Sequence, residues 1–144
     1  MGASTMALTP VVAEGFMPLV RIDLPQSIDA NTALRIGETI NKVMMEVISV
    51  PSGDKFQIIT RHPPEERNLT AEYLGIRYSK NLVLIQITLN QGRTLEQKKA
   101  FYRRVADDLV ELGVRKQDVL INLVEVAKEN WSFGNGEMQY GPQS

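Results

Sequence analysis

The chain of 144 residues is long enough for one domain around a single core, and 43% apolar with 23% charged residues is a globular composition, not a disordered one. A net charge of −1 gives no global field for nucleic acid or an anionic membrane, and no apolar run approaches the length of a bilayer span. The absence of cysteine excludes disulfides, thiolate metal sites and cysteine nucleophiles, and the single His62 cannot build a multi-histidine metal site.

Residues 1–17, "MGASTMALTPVVAEGFM", contain no Lys or Arg, unlike a secretory signal or a transit peptide. Met6 stands where a myristoylation motif needs Ser or Thr. The stretch reads as a short extension outside the functional protein, leaving residues 18–144 as the domain and the cytoplasm as its compartment.

"LVRIDL" (19–24) alternates with period two and predicts a half-buried strand. A helix follows from about Asp29, with Ile36, Ile40, Val43 and Val47 on its apolar face. Met44 and Met45 read as helix packing. "SVPSGD" breaks the helix, and "KFQIIT" (55–60) predicts a second strand. Residues 61–80 form a long polar connection with a short strand at "YLGIRY", and His62, beside two prolines, reads as structural. "LVLIQITL" (82–89) is apolar enough for a strand covered on both faces. Thr94 with Gln97 resembles a capping box opening a helix whose face is Phe101, Val105, Leu109 and Leu112, stopped at Gly113. "DVLINLVEV" (118–126) predicts the fourth main strand, and a turn-rich aromatic tail closes the chain.

The halves repeat. "VPSGDKFQII" and "VRKQDVLINL" align at an offset of 64 residues, which also sets Pro18 opposite Leu82 and Asp54 opposite Asp118. The layout is βαβ twice: an α+β fold with a pseudo-two-fold, a four-stranded mixed sheet and both helices on one face. The other face then needs a partner, and self-association supplies one.

Pro18 decides the chemistry. Inside a chain its nitrogen is a tertiary amide with no basicity; at a terminus it is a secondary amine titrating near the α-amino reference of about 8. On residue type alone, Asp54 and Asp118 are turn aspartates, Arg93 is a solvated turn arginine, and Trp131 and Phe133 are core aromatics.

The motifs "MPLVRIDL", "PSGDKFQIITRHPP", "ITLNQGRTLEQK" and "NWSFGNG", in this order, resemble the tautomerase superfamily, in particular its malonate semialdehyde decarboxylase-like branch. The resemblance implies a homotrimer and a cofactor-independent enzyme of small 2-oxo or 3-oxo carboxylic acids. Pro18 would be the catalytic amino terminus after translation from Met17 and removal of that methionine. Asp54 would be its acidic partner, Arg93 the carboxylate-binding cation, and Trp131 and Phe133 an apolar wall. The decarboxylase pattern has two arginines flanking a proline on the turn that here reads "QGR". Gln91 thus replaces the first arginine and Gly92 the proline. A neutral amide can hydrogen-bond a carboxylate but lends it no charge, which favours proton transfer over decarboxylation or hydration. If the extension is retained, the acylated Pro18 cannot act as a base, and a non-catalytic trimer is the alternative.

Overall fold

The computed structural model describes residues 18–141; the expected extension, residues 1–17, lies outside them. Strand β1 (Leu19–Pro25) alternates as expected, with Val20, Ile22 and Leu24 fully buried beneath the helices. Helix α1 (Ala30–Val47) starts at Asp29, whose carboxylate accepts the Thr32 N–H at 2.7 Å. That bond satisfies one orphan donor of the first turn and holds the carboxyl below its ordinary pKa. Ile36, Ile40, Val43 and Met44 pack into the core, whereas Met45 is exposed.

Strand β2 (Gln57–His62) begins and ends two residues later than "KFQIIT" suggested. Its parallel ladder with β1 continues to Pro25 opposite His62, so tertiary pairing draws Arg61 and His62 into the strand. The "YLGIRY" region is a two-stranded hairpin, β3 (Glu72–Tyr73) and β4 (Ile76–Arg77). Strand β5 (Val83–Asn90) sends Val83, Ile85, Ile87 and Leu89 into the core, while on the other face Gln86 is exposed in the single chain and Asn90 is buried. Helix α2 (Leu95–Val110) carries the full Thr94–Gln97 capping box and buries Phe101, Val105 and Leu109. It stops before Gly113, which takes φ +88°. Strand β6 (Val119–Val126) completes the sheet.

The sheet order is β2-β1-β5-β6, with β1/β2 and β5/β6 parallel and β1/β5 antiparallel. This is the expected pair of βαβ units about a pseudo-two-fold. Both helices cover the same face, and α1 packs on α2. The opposite face presents Leu19, Ile58 and Val124, all at least 36% exposed. Among the described residues no helix is long and apolar enough to cross a membrane.

Candidate active site

The antiparallel β1/β5 pairing positions the candidate residues. Pro18 is buried where the chain enters β1. The Val20 N–H donates to the Phe56 carbonyl at 2.9 Å, and the register Val20–Gln57, carried back two residues, sets Pro18 level with Lys55, the neighbour of Asp54. Asp54 is half-buried in the preceding turn, its N–H donating to the Pro51 carbonyl at 3.1 Å. Because Leu19 pairs with Thr88, β5 finishes at the same edge. The start of β1, the turn before β2 and the turn after β5 therefore converge.

That last turn holds Gln91, Gly92 and Arg93. The Gln91 N–H donates to the Val126 carbonyl at 3.0 Å, while its side chain is exposed. Gly92 has φ +133°, a conformation closed to proline, whose ring fixes φ near −65°. The backbone of this turn therefore cannot take the proline that the resemblance implies at position 92. The Arg93 guanidinium is half-buried and donates through Nη1 to the Asn90 carbonyl at 3.1 Å and through Nη2 to the Ile48 carbonyl at 3.3 Å. Ile48 caps the C-terminus of α1, so the cation lies at the negative end of that helix. Burial lowers the Arg93 pKa and the charge of Glu125 opposes this; a guanidinium remains cationic at any working pH.

Asn90 organises the surroundings. It is 1% exposed and its Oδ1 accepts the Trp131 indole N–H at 2.7 Å. Trp131 stacks on Phe133 with ring centroids 5.3 Å apart, and Phe133 meets the edge of Tyr140 at 4.9 Å. Gln139 fastens this tail, accepting the Phe133 N–H and donating to the Gly134 carbonyl, each at 2.9 Å. A cavity of about 390 Å³ opens between Asn90, Gln91, Val126, Lys128 and Tyr140. Of the residues singled out from sequence, Gln91 lines it directly. Arg93 and Trp131 border it through Asn90, which both bind; Phe133 borders it through Tyr140. Pro18 and Asp54 lie at the same sheet edge without lining this cavity.

Asn90, Lys128 and Tyr140 escaped the sequence reading. An Asn at the end of a strand carries the ordinary signal of a turn, and only its burial distinguishes it. Asp118, the counterpart of Asp54, is 1% exposed and accepts the Ser79 N–H at 2.8 Å, a structural bond. Among the described residues no group of three His, Asp or Glu side chains could hold a metal ion.

Residues 54–134 match a family model described as "Tautomerase enzyme". The match includes Asp54, Gln91, Arg93, Trp131 and Phe133, and Pro18 lies before it. A probable tautomerase of Bacillus subtilis (strain 168), YusQ, is 42% identical over 124 residues, covering 85% of this chain and 98% of its own. A second from the same organism, YrdN, is 34% identical over 125 residues, covering 86% and 96%. Among solved structures, FG41 malonate semialdehyde decarboxylase inhibited by 3-bromopropiolate superposes with a TM-score of 0.78 at 34% identity, covering 85% of this chain and 93% of its own. A fused 4-OT symmetric trimer, at 19% identity and TM-score 0.68, shares the fold over 83% of this chain and 94% of its own. Fold, family model and near-complete relatives agree, and the chain belongs to the tautomerase enzyme family.

Proposed function

We propose that the protein is a cofactor-independent tautomerase of small 2-oxo or 3-oxo carboxylic acids, with Pro18 as its free amino terminus, working as a homotrimer in the cytoplasm. The neutral Pro18 amine takes a proton from the enol oxygen, or from the carbon next to the carbonyl, and returns it to the other position. Arg93 grips the substrate carboxylate, and Gln91 hydrogen-bonds it without adding charge. Trp131 and Phe133 form the apolar side. Two influences act on the amine: the Arg93 cation and the apolar walls favour its neutral form, and the Asp54 carboxylate favours the protonated one. A neutral amine near pH 7 is suited to general-base work.

The observation that carries this reading is the antiparallel β1/β5 pairing, which sets the start of β1 and the Gln91–Arg93 turn at one sheet edge. The alternative is malonate semialdehyde decarboxylase or hydratase activity, favoured by structural neighbours of that name at 34% and 28% identity. There Pro18 would be protonated and act as an acid.

The test compares the full chain with one translated from Met17, by intact mass and by turnover of phenylenolpyruvate. Activity confined to the species whose first residue is Pro18 is expected. Equal activity from a verified full-length chain would remove the terminal-proline mechanism and leave the non-catalytic trimer as the alternative.

A further inference from the structure

A cavity of about 890 Å³, larger than the one beside Gln91, lies at the other end of the sheet. Pro25 at the end of β1 lines it, whereas Pro18 precedes that strand. Seven residues of extended chain separate the two ends by about 23 Å. The internal repeat relates them: Leu82, the counterpart of Pro18, lines the larger cavity, and Asp118, the counterpart of Asp54, lies behind its wall. Leu82 is an ordinary chain amide, so this end lacks the terminal amine proposed for Pro18.

We propose that this cavity is a second, non-catalytic binding site for a small organic monocarboxylate. Charge is the first argument. Arg67 and Lys80 line the cavity, and among the described residues no Asp or Glu does. The nearby carboxylates already have donors. Asp23 faces His62 Nε2 at 2.7 Å, and Asp118 accepts the Ser79 N–H and hydroxyl and also pairs with Arg115 at 3.3 Å. Arg67 uses two of its five N–H groups, on the carbonyls of Lys80 and Leu82. Lys80 has no ion-pair partner among the described residues. Burial lowers the Arg67 pKa against the pull of Asp23 and Asp118, so an incoming anion would relieve a desolvated cation.

Rigidity is the second argument. One wall, the turn after β1, is pinned by Arg61, which donates to the carbonyls of Ile28 at 2.8 Å and Gln26 at 2.9 Å. The opposite wall is pinned by Asp118 through Ser79. Ser27 Oγ joins the two by donating to Asn81 Oδ1 at 3.1 Å. A preformed cavity loses little entropy on binding. Pro25, Pro64, Leu69 and Leu82 supply apolar surface for an organic body, and the volume far exceeds that of a bare inorganic ion.

Benzoate is the probe, with benzamide as its neutral isostere, titrated into the nitrogen-15-labelled protein as it assembles. Trp131, the single tryptophan, reports the other end of the sheet by fluorescence. The expected result is saturable movement of the Ser27, Ser79 and Asn81 amide signals with benzoate and none with benzamide. Lys80→Gln should weaken that binding about tenfold, the loss of one charge-assisted contact. Among the described residues the Lys80 side chain makes no hydrogen bond or ion pair, so an unchanged melting temperature checks the variant. Benzoate signals confined to the Gln91 and Trp131 end, equal binding of benzamide, or unaltered binding in Lys80→Gln would each overturn the proposal.

Discussion

The indole N–H of Trp131 donates to Oδ1 of Asn90 at 2.7 Å, tying the aromatic tail to the last residue of β5. Asn90 is buried and Trp131 half-buried, so breaking the bond leaves the donor poorly paired as well as losing a contact. Asn90→Leu should lower stability by about 1–3 kcal/mol. Turnover should fall with it, since the same side chain borders the cavity beside Gln91. Trp131→Phe removes the donor but retains the apolar wall, and should cost less activity than Asn90→Leu. Thermal unfolding together with kcat/KM checks the order; equal effects would mean that the bond does not position the tail.

Arg93 has two duties that one substitution confounds: it binds the carbonyls of Ile48 and Asn90, and it is the proposed carboxylate clamp. Arg93→Ala should therefore lose some stability and most turnover, the latter by about 2–5 kcal/mol of transition-state binding. Arg93→Lys separates the duties. It keeps the charge but lacks the planar fork, so folding should survive better than the KM for a 2-oxo acid. Unchanged kinetics in both variants would confine Arg93 to capping α1.

Gln91 faces the small cavity with a neutral amide. Gln91→Arg adds the cation that the decarboxylase-like pattern carries there and should raise the ratio of decarboxylation to proton transfer. Product analysis by proton NMR measures both rates in one sample. Because Gly92 gives this turn φ +133°, the new side chain starts from a backbone unlike a proline turn. No change in the ratio would assign reaction choice to that backbone course instead of the missing charge.

The Thr94–Gln97 capping box shows what was legible in the sequence and why. Capping, apolar periodicity and glycine stops are local signals, and they located α1, α2 and β1 closely. The 64-residue repeat then supplied the topology, because two like βαβ units in one sheet pair most simply about a two-fold. The ends of β2 were less legible, since pairing with β1, not composition, brings His62 into the strand. Asn90 and Tyr140 stayed hidden for a related reason. Their positions depend on contacts made across the fold by Trp131 and Phe133. The larger cavity depends likewise on long-range bonds from Arg61, Arg67 and Asp118, none of which leaves a local pattern.

The last prediction concerns the sheet face away from the helices. Leu19, Ile58 and Val124 are apolar and at least 36% exposed there, and among the described residues β2 and β6 are the edge strands of the sheet. An exposed apolar face flanked by open edges calls for a partner. The homotrimer proposed for this chain would cover that face. Light scattering of the native protein should then give three times the chain mass at micromolar concentration. Ile58, 47% exposed on edge strand β2, touches the proposed interface without entering the core. Ile58→Lys should shift the assembly toward monomer while leaving far-ultraviolet circular dichroism unchanged, because in the single chain the new charge meets water. Concentration-dependent turnover should accompany the shift if neighbouring subunits help shape the site. A stable native monomer would remove the trimer from the proposed function.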